Sequence, residues 1–131
     1  MIKYKFLEHT ADVLFEAYGN TYEEAVENAA EAISKVVSDK VEKTEEFEII
    51  EKGNDLEDLT IKILQDFIVE CEIRIILPGG MKVEFDEEDM KIKAKCWGGE
   101  GIPKTQIKGV TYGMLKIERN EIWKIRVLLD I

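Results

Sequence analysis

Only two stretches of this chain repeat their apolar residues at helical spacing, and from residue 75 onward nearly everything alternates. Helices and strands each bury an apolar side only against another element, so a chain so divided must lay its two helices against its strands. The first helix opens at Thr21, with Glu24 three residues on as its capping-box partner. Ala25, Val26, Ala29, Ala30, Ile33, Val36 and Val37 then recur on one side through about residue 38. The second helix follows the Gly53-Asn54 turn, takes Asp55 as its cap and runs from 56 to about 73. Leu56, Leu59, Ile63, Phe67 and Cys71 stripe it, while Thr60, Leu64 and Ile68 widen the stripe, which predicts a well-buried helix.

The remaining segments read at period two. Ile2, Tyr4 and Phe6 predict a strand over 2–7, and Val13, Phe15 and Ala17 a second, broken from the first by Glu8-His9-Thr10-Ala11. Phe47 and Ile49 share a face of a strand over 44–51. Pro78-Gly79-Gly80 reads as a turn, followed by alternating Met81, Val83 and Phe85, a solvated acidic tip at 86–89, and a lysine-out strand through Cys96. The stretch from Gly98 to Pro103 is glycine-rich enough to predict an unpacked loop. Strands follow at about 107–118 and 122–130, joined at Arg119-Asn120. The expected fold is α+β: a two-layer sandwich, one domain over residues 1–131, with a mainly antiparallel sheet and both helices on one face.

Charge and composition narrow the function. The 131 residues carry 18 Lys and Arg against 28 Asp and Glu, a net charge of −10. Nucleic-acid affinity rests on clustered cations, so no direct nucleic-acid binding is expected, and a basic protein partner or a cation is favoured. No apolar run approaches the ~20 residues of a membrane span. The opening Met1-Ile2-Lys3-Tyr4-Lys5 lacks the apolar core of a signal peptide, so a cytoplasmic protein is expected. Cys71 and Cys96 lack the spacing of a zinc site and are expected to be buried, reduced thiols.

Candidate chemistry gathers at the chain's two ends. Asp12 heads the second strand, and Asp130 with the α-carboxylate of Ile131 closes the last. Were these to meet, three negative groups would share a small volume and call for a hard, oxygen-liganded cation. Spacing alone leaves open the plainer reading, in which Asp12 caps a turn and Asp130 faces water. His9, the sole imidazole, could join such a shell, contact a partner, or bond backbone in its own turn. Lys108-Gly109-Val110-Thr111-Tyr112-Gly113 is not a phosphate loop, since it lacks the glycine spacing and following helix. It reads equally as a strand with a surface lysine and a half-buried tyrosine. No nucleophile pairs convincingly with the one histidine, so the chain is not expected to be an enzyme itself.

These same residues resemble the archease family. Phe6-Leu7-Glu8-His9-Thr10-Ala11-Asp12-Val13 is similar to its opening motif, and Gly19-x-Thr21-x-Glu23-Glu24-Ala25 to the start of its first helix. Lys108-x-x-Thr111-Tyr112 is similar to its late-strand element, and Leu129-Asp130-Ile131 to its close. The resemblance runs in order over nearly the whole chain. It departs at Gly109, where alanine is usual, and at Gly113, where histidine is usual. It implies an activator of the RtcB-type GTP-dependent RNA ligase that joins tRNA exons, promoting the ligase's guanylylation and multiple turnover and broadening its nucleotide use. It implies a divalent cation, calcium by preference, held by Asp12, Asp130 and Ile131, with Lys108 and His9 meeting the partner. It also leaves room for a chaperone-like adaptor controlling the solubility or assembly of a tRNA-modifying methyltransferase.

Overall fold

The computed structural model describes residues 1–131. Both predicted helices form, each started by the residue chosen to cap it. α1 (Tyr22–Val37) begins where the Thr21 hydroxyl accepts the Glu24 amide at 3.1 Å, while Glu24 reaches back to the amide of Asn20 at 3.2 Å. α2 (Leu56–Arg74) repeats the device with aspartates: Asp55 accepts the Asp58 amide at 2.8 Å, and Asp58 accepts that of Asn54 at 2.9 Å.

Seven strands complete the chain: β1 (Tyr4–Leu7), β2 (Val13–Gly19), β3 (Glu45–Lys52), β4 (Leu77–Asp86), β5 (Lys91–Gly99), β6 (Gly109–Arg119) and β7 (Trp123–Asp130). Every pairing is antiparallel, and the α+β class holds. The strands divide, however, into two sheets and not one: a four-stranded sheet in the order β1-β2-β7-β6 and a three-stranded sheet in the order β3-β5-β4. No strand of one sheet neighbours a strand of the other, and the helices join them, α1 lying against β2 and β4 and α2 against β6 and β3. The alanines of α1 make this close approach possible: Ala25, Ala29, Ala30 and Ala32 are all fully buried. One continuous core results, reaching from Phe15 and Val127 in the larger sheet through Ile33 and Phe67 to Ile92 and Ala94 in the smaller. Where the helices meet, the Tyr22 and Thr60 hydroxyls lie 2.6 Å apart and Thr60 donates to the Leu56 carbonyl, which satisfies two otherwise buried polar groups. Burial holds the Tyr22 phenol well above its usual range.

Two predicted loops are strands instead. Pro78-Gly79-Gly80 lies inside β4, at a bulge in its pairing with β5. The reason is Trp97: a Cβ on Gly79 would sit 2.6 Å from its indole and one on Gly80 2.5 Å, so both glycines exist to let the ring lie on the strand. Gly98 and Gly99, expected in an unpacked loop, extend β5 and approach the backbone of Leu77 and Glu42 too closely for any side chain. Cys71 and Cys96 are buried free thiols, as expected, both pushed up to about 12 by burial. No helix is long and apolar enough to cross a membrane.

Edge strand β6 carries a second irregularity. Its register against β7 shifts between Thr111 and Lys116, and Met114 there takes φ 63. Upstream of the shift, the Val110 amide donates to Gln65 of α2 at 2.8 Å.

Candidate functional site

The connection from β1 to β2 turns sharply at Ala11, whose φ of 70 is rare for a residue with a side chain. The next residue, Asp12, is half-buried, and β2 begins directly after it. β2 pairs with β7 so that Val13 stands opposite Leu129. Asp12 and Asp130 each lie next to this terminal pair, Asp12 in the bend before β2 and Asp130 at the end of β7. On the other side of β7, Gly109 of β6 stands opposite Asp130, and the Lys108 amide donates to the Asp130 carbonyl at 2.7 Å. The last strand is therefore held by β6 to its final residue and by β2 as far as Leu129, and Ile131 packs partly buried against the core. Sequence elements more than a hundred residues apart converge at this end of the four-stranded sheet, where the Lys108 backbone meets Asp130 and Asp12 precedes the last β2–β7 pair.

Direction along the strands also places these groups. Leu14, Glu16 and Tyr18 stand opposite Leu128, Arg126 and Lys124, so alternation along β7 carries Asp130 to that same outer face. Neither aspartate has an ion-pair partner in the structure, whereas Glu16, two rungs along, has Lys124 at 3.6 Å. An open hollow of about 400 Å³ borders Asp12, lined also by Phe6, Leu7, Lys35 and Lys104. Lys104 is itself bound to Asp39 at 2.7 Å, and its ammonium, through that hydrogen bond, holds the Asp39 carboxyl below the usual range.

The remaining candidates stand further out. His9 and the side chain of Lys108 are exposed. Tyr112 is not half-buried: it is 59% exposed, and its hydroxyl donates to Asp58 at 3.2 Å. No three His, Cys, Asp or Glu side chains cluster as a metal cage. A cation at this end would thus have two side-chain carboxylates and the main-chain carboxylate of Ile131, an all-oxygen set that suits a hard ion. Three donors fall short of the six to eight oxygens calcium takes, which leaves coordination open to water or to a partner's groups.

Residue patterning carries no sign of the Asp12 hollow, since Lys35 and Lys104 reach it from a helix and a loop. Nor did it flag an apolar cavity of about 260 Å³ at the C-terminal end of α2.

Two antiparallel sheets tied by a pair of helices, with the first turn and the last strand gathered into an acidic rim, define a small α+β class of protein. The family profile described as Archease protein family (MTH1598/TM1083) matches residues 4–131. The chain is 35% identical to "Protein archease" of Sulfolobus acidocaldarius, with all of each chain covered, and 38% identical to "Protein archease" of Methanosarcina mazei, over 98% of this chain and 96% of that one. Among solved structures it is similar to Methanobacterium Thermoautotrophicum Protein 1598, with a TM-score of 0.84, 31% identity and coverage of 98% and 99%. The crystal structure of an archease, possible chaperone, from Thermotoga maritima gives a TM-score of 0.74 at 29% identity, over 97% and 96%. The chain belongs to the archease family.

Proposed function

We propose that this protein activates the RtcB-type GTP-dependent RNA ligase of tRNA splicing, acting through the acidic rim built by Asp12, Asp130 and Ile131. In the reaction to be assisted, a ligase histidine nitrogen attacks the α-phosphorus of GTP. The N–P bond forms, the α–β phosphoanhydride bond breaks, and pyrophosphate leaves. A divalent cation, calcium by preference, would neutralise charge on such phosphates when held at this rim. Asp12 and Asp130 would hold it, and the carboxylate of Ile131 would complete the protein's share. Lys108 extends from the same end toward the ligase or its nucleotide, and His9 offers a further contact. The net charge of −10 steers the protein toward a basic active-site rim. Faster guanylylation would permit multiple turnovers and accommodate nucleotides besides GTP.

The observation that supports this reading is the β2–β7 register, whose last pair, Val13 with Leu129, lies next to both Asp12 and Asp130, neither of which has an ion-pair partner. Single-turnover guanylylation of a cognate ligase tests it. Wild-type protein should stimulate the reaction, Asp12→Ala and Asp130→Ala should each lose at least about tenfold of that stimulation, and chelation should mimic them. Stimulation by both variants equal to wild type would end the proposal.

A second reading has one observation in its favour: the Thermotoga maritima relative is described as a possible chaperone. An adaptor that keeps a tRNA-modifying methyltransferase soluble or assembled would work without the ion. Its mark is a solubilising effect on the methyltransferase that survives both chelator and Asp130→Ala.

A further inference from the structure

Helix α2 ends in an unusual way. Its closing residue, Ile75, adopts the left-handed conformation (φ 57, ψ 48), with its amide directed at the carbonyls of Cys71 and Glu72, and Ile76 donates to Cys71 at 3.0 Å. This cap is normally taken by glycine or asparagine, because a Cβ crowds the following carbonyl, and a β-branched residue is the poorest occupant. Nothing in the isolated fold compensates Ile75, whose side chain is 86% exposed. Ile75 borders an apolar cavity of about 260 Å³, walled by Val37, Ile68, Cys71, Ile76, Leu77 and Ile107. Ile73, two residues earlier in α2, is 68% exposed, and Ile102, between lining residues Gly101 and Pro103, is 92% exposed.

The charges around this opening are one-sided. Glu72 lines it and Glu100 precedes lining residue Gly101, and neither has an ion-pair partner. No cation lines the opening: Arg74 bonds Glu70 at 3.5 Å and Glu45 at 3.8 Å and lies over the Phe47 ring, Lys104 is held by Asp39, and Lys108 follows lining residue Ile107 with its side chain exposed. Exposed isoleucines near a largely apolar hollow suit a protein surface with one inserted anchor, since a small molecule in the cavity would leave Ile73, Ile75 and Ile102 in water. The uncompensated carboxylates select a cationic segment and oppose a second copy of this acidic chain. Thr105 lines both this cavity and the hollow beside Asp12, so one partner can span the two.

We propose that this cavity and its isoleucine rim dock an apolar side chain flanked by lysine or arginine, presented by a partner protein. The partner's identity as the RNA ligase rests on the reading under Proposed function. Affinity for the purified cognate ligase, measured by calorimetry, tests the docking. Ile75→Gly removes the exposed side chain and the strained conformation together. It should leave the thermal midpoint no lower than wild type yet weaken ligase binding at least about tenfold, and Ile102→Asp should weaken it as much. Wild-type affinity in both variants overturns the docking site while leaving the acidic rim standing. Weakened binding in both, with stimulation intact in Asp12→Ala, keeps the docking site and removes the rim. No binding by the wild-type chain removes both. A photo-crosslinker, Ile102→p-benzoylphenylalanine, should map to a ligase segment pairing an apolar residue with flanking cations. Crosslinks confined to an acidic segment or to a second copy of this chain overturn the proposal.

Discussion

The outer face of the three-stranded sheet and the end of the four-stranded sheet are both charged, and they arrange charge in opposite ways. On the smaller sheet, Lys95, Lys93 and Lys91 of the central strand β5 stand across from Glu48, Glu84 and Asp86, while Lys82 and Lys52 share the rungs of Lys95 and Lys91 on the other side. Each lysine has an opposite charge on its own rung, and Lys93 also reaches Glu48 at 3.8 Å. At the end of the larger sheet, Asp12 and Asp130 lie next to the terminal Val13–Leu129 pair, and neither has an ion-pair partner. Cross-strand pairs of opposite sign stabilise a sheet modestly and like pairs oppose it. Each β5 lysine thus has a carboxylate on its rung, which for Lys95 and Lys91 offsets a like-charged neighbour, whereas Asp12 and Asp130 have no ion-pair partner of the chain's own. On the function proposed above, that difference leaves the end of the larger sheet open to a cation or a partner.

The comparison presumes that both sheets belong to one cooperative unit, and the largest expected effects test this. Ile125→Ala in the larger sheet and Ile92→Ala in the smaller, both fully buried, should each cost about 2–5 kcal/mol. Because the helices share one core with both sheets, denaturant melts of either variant should show a single transition by fluorescence and circular dichroism. Two separated transitions would mean that the sheets are independent. Next, Gly80→Ala would drive a methyl into the Trp97 ring and distort the frame that aligns the charged rungs, costing about 1–3 kcal/mol in the same melts. Lys93→Glu, which sets a like charge opposite Glu84, should destabilise by about 0.2–1 kcal/mol. Asp12→Asn, by contrast, should stay within about 0.5 kcal/mol of wild type or above it; a larger loss would place Asp12 among the residues that hold the fold together.

The smallest effect concerns the exception on the smaller sheet. Glu51 of β3 is raised above the usual carboxylate range by burial and then by sharing a hydrogen bond with Asp66. A raised carboxyl favours the folded state while protonated. Its contribution is fully present below the unfolded value of about 4.3 and is lost as pH rises through the folded value. Glu51→Gln should thus be more stable than wild type at pH 7, with the difference closing toward pH 4 in a pH series of urea midpoints. A gap that widened as the pH fell would reverse the assignment.

Much of this architecture could be read in advance because local patterns specify local structure. Thr21 with Glu24, and Asp55 before its apolar stripe, announced both helix starts, since caps act within one turn. Alternation in β5 told which residues face the core. It could not tell which strand lies beside which, so the division into two sheets was invisible. Gly79-Gly80 and Gly98-Gly99 were mistaken for breaks because glycine serves turns and tight packing alike, and only Trp97 and the backbone of Glu42 decide between them. Of the acidic rim, the residue types were legible but their meeting was not, because it depends on β7 inserting between β2 and β6. The cavity beyond α2 left one faint trace: a helix followed by Ile75-Ile76 where a glycine would ordinarily stand.

The irregular stretch of β6 has a consequence for how the molecule behaves in crowded solution. An edge strand normally offers a straight row of free amides and carbonyls on which a neighbouring molecule can polymerise. Here the slipped register and the left-handed Met114 interrupt that row, and Gln65 already occupies the Val110 amide. The larger sheet can thus keep an open edge beside its acidic rim without growing into fibres.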